Sequence, residues 1–234
     1  GDVTTKAPPT RRRFLQRLVG NIKDALSSQG IEHRINRTHD RIFVEFPRDQ
    51  QEHAVDALSR IFGVQSLAVV EKHGWETLDD LVETGHAFFA ESVRDKTFAV
   101  RARRVGDRRA IPFQSEEVQR RLGSALLPHA RGVSLKQPES EASLEIMPGE
   151  AYFFRENIPS RGGLPLGCEG RAVALVSGGF DSPVAAWLMM KRGVALDYVF
   201  CNLGGRDHQL ETLRVMKVVS DRWSYGTRPH FHAV

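Results

Sequence analysis

Six residues, Ser177-Gly178-Gly179-Phe180-Asp181-Ser182, place two bare backbone positions, two hydroxyls and one carboxylate between a strand-like apolar run and a helix-like one. Gly178 and Gly179 let the backbone turn tightly and bring unshielded amides close to an anion. Ser177 and Ser182 add hydroxyl donors. Pro183 suits the first position of a following helix, where its missing N–H costs nothing. Amides backed by the positive end of a helix dipole make a phosphate site. No Gly-Lys-Ser/Thr follows, so the loop is not a Walker A. Asp181 is out of keeping with an anion site, because its carboxylate repels phosphate unless a cation lies between them. It reads as a holder of Mg²⁺, bound mainly through water, against the pyrophosphate part of a nucleotide. The alternative without chemistry is an aspartate that caps a helix in a tight turn.

A second chemical signal is clustered arginine: Arg11 to Arg13, then Arg101, Arg103, Arg104, Arg108 and Arg109, then Arg120 and Arg121. The net charge is only +4 over 234 residues, but the clustering suits a polyanion such as nucleic acid. A solvated basic face is the alternative. With 41% hydrophobic and 26% charged residues the composition is that of a globular protein. No apolar run approaches the roughly 20 residues that span a bilayer, and "GDVTTKAPPTRRR" has no apolar signal region. Two cysteines, Cys168 and Cys201, build no disulfide framework, so a reducing cytoplasm is the default setting.

The elements that must position these groups fall into three parts. Phe14, Leu15, Leu18, Val19, Ile22, Ala25 and Leu26 have helical spacing, "RIFVEF" alternates as a strand, Ala54 to Phe62 repeats as a helix, and "VQSLAVVEK" reads as one strand. That order is a ferredoxin-like unit lacking its first strand, with residues 3–6 as a candidate stump. From His73 a helix over 77–93, a strand carrying Phe98 and Val100, a helix N-capped by Ser115 and two strands around Pro148-Gly149 make a second α/β part. Residues 158–170, rich in Gly and Pro, read as a linker that holds Cys168. Strands then alternate with helices, which predicts a parallel doubly wound sheet with the loop at its carboxyl edge. Cys201 ends a strand there and reads as a small buried packing residue. Three strands with two faces to cover suggest that the chain stops in mid-domain. The expected division is 1–72, 73–165 and 166–234.

The hexad resembles the SGGxDS signature of the PP-loop ATP-pyrophosphatases, which split ATP between its α- and β-phosphates. "RRRFLQRLVGNIKDAL", "ALSRIFGVQSL", "KTFAVRARR", "IPFQSEEVQRRLG", "RGGLPLGCEGRAVALVSGGFDSPVAAWLMMKRG" and "FCNLGG" together resemble the ThiI family of tRNA 4-thiouridine synthetases. The resemblance implies a ferredoxin-like domain, a THUMP domain and a PP-loop domain. It implies that tRNA is held by its acceptor stem and 3′ end, and that ATP adenylates O4 of uridine 8. A persulfide from a cysteine desulfurase then supplies the sulfur of 4-thiouridine, and a role in making the thiazole of thiamine is left open. The implied ATP contacts are Leu175, Val176, Ser177, Gly178, Gly179, Phe180, Asp181, Ser182, Phe200 and Cys201. Mg²⁺ falls to Asp181, also the catalytic candidate, and tRNA phosphates to Arg101, Arg103, Arg104, Arg108 and Arg109. The sulfur-handling cysteine is expected beyond Val234, which would leave this piece inactive alone. A departure is Ser160, which precedes Arg161-Gly162-Gly163 where the family more often has glycine. An RNA-binding module without catalysis is the second reading, and a homodimer is left open.

Overall fold

A computed structural model describes residues 5–38 and 41–234. The strand stump expected at 3–6 falls largely outside them, and Thr5 and Lys6 form a turn. The elements are, in order, α1 (Pro8–Ser27), β1 (Arg34–Arg37), β2 (Ile42–Glu45), α2 (Gln51–Ser59), β3 (Ser66–Leu67), β4 (Glu71–Gly74), α3 (Leu78–Val93), β5 (Thr97–Arg104) and α4 (Ser115–Leu126). There follow β6 (Gly132–Val133), β7 (Ser140–Met147), β8 (Glu150–Phe154), β9 (Ile158–Pro159), β10 (Arg171–Val176), α5 (Asp181–Lys191), β11 (Ala195–Phe200), α6 (Gly205–Trp223) and β12 (Phe231–Ala233). Two compact units result. One joins the residues up to Asn36 with Ile42–Leu67 and Ile158–Val234; the other takes Arg37–Arg41 and Ala68–Asn157.

In the first unit, Leu18, Ile22, Ala25 and Leu26 of α1 bury against Ala54 and Leu58 of α2 and against Ile61. β1 pairs with β2 alone. β10, β11 and β12 form a parallel sheet in that order. Its core of Val176, Ala186, Met190, Leu196, Tyr198 and Phe200 also takes in Phe62, from just beyond α2. Phe62 stacks on Trp223 at 5.6 Å and meets Trp187 edge-on at 5.3 Å. In return Tyr225, which follows α6, joins the α1–α2 core. The ferredoxin-like segment and the segment that bears Ser177–Ser182 therefore share their apolar cores. Val173 and Leu175 on β10 point away from this core and are exposed.

The expected strand over 64–72 is two strands instead. β3 pairs antiparallel with β9 in the first unit, and β4 pairs antiparallel with β8 in the second. The linker over 158–170 is ordered by the same pairing, by exchange of bonds between Gly162 and Gly63–Val64, and by Leu164 and Gly167 bonding to Lys191 and Gly193. Short polar-flanked strands and loops look alike in sequence, so pairing decided both cases.

In the second unit a sheet ordered β4-β8-β7-β5-β6 carries α3 and α4 against one face. Phe98, Val100 and Ala102 of β5 and Ala142, Leu144 and Ile146 of β7 line that core. Helix α3 starts in a capping box, in which the Asp80 amide donates to Thr77 Oγ1 and the Thr77 amide donates to the Asp80 carboxylate. Helix α4 departs from expectation: Ser115 is its first residue, Gln114 holds the cap position, and no side chain caps it. Among the described residues no helix is long and apolar enough to cross a membrane.

Asp197 ties the three-stranded sheet together near its entry side. It accepts from the His230 amide at 2.9 Å and from Arg171 at 2.8 and 2.9 Å. The His230 amide first, then Arg171, hold its carboxyl at about 2 against an ordinary 3.8. A depressed folded-state pKa means stability present above the ordinary value and lost as pH falls through the folded one. Asp197→Asn should lower stability at neutral pH and reduce the loss of stability between pH 3.8 and about 2, read from denaturant unfolding across a pH series.

Candidate nucleotide and nucleic-acid sites

Strand pairing sets the geometry of the loop. Val176 pairs with Phe200 and Phe200 with Ala233, so the three parallel strands end in line. Ser177 and Cys201 follow side by side at the carboxyl edge, where open parallel sheets take ligands. Helix α5 begins at Asp181 with Phe180 as N-cap and no capping side chain. Pro183 is thus its third residue rather than its first, still within the turn whose amides lack intrahelical acceptors. The far end of α5 is fixed by Gly193 at φ +90°, with bonds from Gly193 to Met190 and from Val194 to Met189. A helix so anchored presents its N-terminal amides to the loop in a fixed direction.

Within the loop, the Ser177 amide donates to Ser182 Oγ at 2.9 Å, and Ser182 Oγ donates to the Ser177 carbonyl at 3.2 Å. The hydroxyl expected to face a ligand is a clasp that draws the two ends of the hexad together. Ser177, Gly178, Gly179, Phe180 and Asp181 are exposed, Phe180 by 87%. The Asp181 carboxylate has no partner among the described residues and stands at the mouth of the loop, which fits a cation held by one carboxylate and phosphate oxygens. No group of three or more His, Cys, Asp or Glu side chains that could hold a metal occurs among the described residues.

The other nucleotide candidates divide by side chain. Val176 and Phe200 are buried in the sheet core at 6% and 1% exposure, so only their backbones can meet a ligand. Leu175 faces the exposed side of β10. Cys201 is exposed, against the expectation of a packed residue, because the sheet ends at Phe200. Cys168 is buried, and burial first, then Glu169, pushes its thiol up to about 11. It stays protonated and unreactive at neutral pH.

One residue not singled out from the sequence also reaches the loop. A methyl group added to Gly178 would come within 2.6 Å of His208 Nε2 and 3.5 Å of Thr212 Oγ1, both from α6. Gly178 is therefore required by close approach. The only trace of this in the sequence is the glycine pair Gly204-Gly205, and Gly204 is itself crowded by the same imidazole.

The arginines lie on and beyond β5. Arg101 and Arg103 alternate onto the sheet face away from the helices. Arg101 pairs with Glu141 at 3.3 Å and donates to the Leu135 carbonyl. Arg104 donates to the Phe113 carbonyl at 3.1 Å and to Gln114 Oε1, which fastens the 105–114 loop to the strand. These two are partly engaged in structure, whereas Arg103, Arg108 and Arg109 are exposed without a side-chain ion pair among the described residues. Arg103, Arg104 and Arg108 line an open cleft of about 280 Å³ with Ser115, Gln119 and one opposing carboxylate, Glu116, at the uncapped start of α4. Three guanidinium groups beside a helix N-terminus suit phosphate.

Comparison with known proteins agrees with this layout. Three family models match in succession: the ThiI ferredoxin-like domain over residues 1–68, the THUMP domain over 76–155 and the thiamine biosynthesis protein (ThiI) over 167–234. A "Probable tRNA sulfurtransferase" of Saccharolobus islandicus is 39% identical over 228 residues, covering 97% of this chain and 58% of that protein. A "tRNA sulfurtransferase" of Desulfurococcus amylolyticus is 36% identical over 235 residues, covering 100% of this chain and 47% of that protein. The chain thus spans about half the length of the curated relatives it matches. Among solved structures, PH1313 from Pyrococcus horikoshii Ot3 superposes with a TM-score of 0.87 at 30% identity, over 100% of this chain and 76% of that one. A 4-thiouridine synthetase–RNA complex with bound ATP superposes with a TM-score of 0.80 at 23% identity, over 98% and 59%, which shows a common fold. With a ferredoxin-like part, a THUMP part and the start of a PP-loop sheet in one polypeptide, the chain belongs to the ThiI family.

Proposed function

We propose that this chain carries the nucleotide loop and the RNA-binding front of a tRNA sulfurtransferase that converts uridine 8 of tRNA to 4-thiouridine. The observation that carries the reading is the exposed Ser177–Ser182 loop on the aligned ends of β10 and β11, in a polypeptide that also bears an arginine-lined cleft. The names of the relatives support the sulfur transfer, and the RNA and ATP of the solved 4-thiouridine synthetase support the two ligands. On this reading the domain limits are 1–72, 73–165 and 166–234.

In the proposed reaction uridine O4 attacks the α-phosphate of ATP and pyrophosphate departs, leaving O4 as part of an adenylate. The terminal sulfur of a persulfide supplied by a cysteine desulfurase then adds at C4 and AMP leaves. A second thiol attacks the carrier sulfur, breaking the S–S bond, so that a disulfide forms and the sulfur stays on C4 as 4-thiouridine. The chain's own contribution is electrostatic. The amides of Gly178 and Gly179 and the first turn of α5 face the charge that grows on the departing pyrophosphate. Asp181 would hold Mg²⁺ against it, an ion that neutralises phosphate charge as a Lewis acid. The Ser177–Ser182 clasp keeps the amides convergent before ligand arrives. The same activated sulfur chemistry would serve formation of the thiamine thiazole.

RNA would be held by phosphate contacts from Arg103, Arg108 and Arg109, with Arg101 and Arg104 shaping the edge on which these three stand. Phosphate contacts give affinity without base choice, so identity would come from the shape of the acceptor stem and its 3′ end.

Two outcomes test the reading. In the complete protein Asp181→Ala should abolish ATP-dependent adenylation of tRNA, read as AMP release, while tRNA affinity stays within about twofold because the loop and the phosphate-binding arginines belong to different units of the chain. Normal 4-thiouridine formation by that variant would remove Asp181 from the mechanism. Arg103→Ala and Arg108→Ala should each reduce the slope of log affinity against log salt by about 0.7 to 0.9, the share of one phosphate contact, in a filter-binding salt series.

A further inference from the structure

His208 stands in the first turns of α6 with its ring held on three sides. It meets the Phe200 ring in a T-shaped contact at 5.1 Å and 82°, Gly204 is packed against its Nδ1 side, and Nε2 lies over Gly178. The packing at Gly204 is close: a methyl group there would fall 2.6 Å from Nδ1 and 2.9 Å from Cβ. Thr212, wholly buried one turn on, donates its hydroxyl to the His208 carbonyl at 2.9 Å and fixes the backbone beneath the ring. An imidazole so confined has little rotamer freedom left to lose on binding.

Neither ring nitrogen has a hydrogen-bond partner among the described residues, and the side chain is only half-buried. Neither nitrogen is a buried one, so both are open to solvent or to a ligand. Here Nε2 points at the glycine whose amide belongs to the anion-binding loop, and small residues on both sides, Gly178 and Gly204, leave the room for it. A ligand atom seated on the Cβ side of Gly178 lies within reach of this nitrogen.

We propose that His208 is a phosphate-binding residue of the nucleotide site, its Nε2–H donating to a non-bridging oxygen of the pyrophosphate half of ATP. The proposal rests on the reading of Ser177–Ser182 as the phosphate loop. It gives the site a donor from α6 in addition to the amides of α5. Within the hexad the Ser182 hydroxyl is committed to the clasp, which leaves the Ser177 hydroxyl as its side-chain donor.

The test is calorimetric titration of ATP, inorganic pyrophosphate and AMP, each with Mg²⁺, onto the 234-residue chain and its His208→Ala and His208→Gln variants. His208→Ala should weaken ATP and pyrophosphate about tenfold, as loss of one hydrogen bond to a charged group implies. AMP, which lacks the pyrophosphate, should bind within about twofold of the unsubstituted chain, and His208→Gln, which keeps a donor near the Nε2 position, should restore most of the pyrophosphate affinity. Unchanged pyrophosphate binding by His208→Ala would overturn the proposal. So would a loss shared equally by AMP, or one that His208→Gln fails to restore, since these are marks of packing alone. Failure of the unsubstituted chain to bind either ATP or pyrophosphate would instead overturn the reading of the loop itself, and the proposal with it.

Discussion

The structure of the first unit depends on an exchange of aromatic side chains. Phe62, at the end of the helical front, sits between Trp187 and Trp223, while Tyr225, at the end of α6, sits in the α1–α2 core and takes hydrogen bonds from Gln29 and Arg60. Each segment thereby supplies part of the other's interior. Large aromatic rings bury more surface than any other side chains, and their edge-to-face contacts add to that burial. Polar ties surround the exchange. Arg60, only 7% exposed, pairs with Asp56; burial opposes its charge, and the bonds from Asp56 and Tyr225 outweigh that opposition. Asn21 donates to the Leu166 carbonyl, and Asp24 accepts from the Gly226 amide and from Arg228. Neither segment would keep its packing if the other were removed.

The Ser177–Ser182 loop inherits its rigidity from that arrangement. Trp187 and Met190 of α5 are part of the shared core, so the helix whose N-terminus faces the loop is fixed from behind. At the other end Gly193 closes the helix and receives bonds at its carbonyl from Gly167 and Glu169. The loop can then remain exposed and almost free of side-chain bonds without losing its shape, because the Ser177–Ser182 clasp has only a short gap to hold. Preorganised amides of this kind cost no rearrangement when charge develops.

Legibility differed by scale. The alternation of strands and helices after Arg171, the strand–loop–helix setting of the hexad and the helix over 78–93 followed from periodicity, because each buries a regular face. The division of residues 64–74 between two sheets did not. Val69 and Val70 continue the apolar run of Val64 and Leu67, and only pairing with β9 and with β8 shows that the run is cut. The arginines were visible as a cluster, but the sequence could not show that Arg101 and Arg104 bond to carbonyls of neighbouring loops. Ser182 was visible as a hydroxyl, not as a clasp. His208 carried no signal, since one histidine in an amphipathic helix is unremarkable until the glycines it touches are known. Contacts between residues distant in sequence are what periodicity cannot report.

The pairing of β3 with β9 has a consequence beyond its four residues. Ser66 faces Pro159 and Leu67 faces Ile158, so the polypeptide leaves the first unit and re-enters it through one antiparallel ladder, whose facing Cα atoms are about 5 Å apart. All of the second unit except Arg37–Arg41 lies, in sequence, between the two strands of that ladder, as a cassette. A cassette with adjoining ends can be exchanged for another, lengthened, or replaced by a two-residue turn without asking the host to rearrange, since a β-hairpin closes the same gap. Such a junction lets most of one unit be lent to another frame and recovered from it as one continuous span of chain.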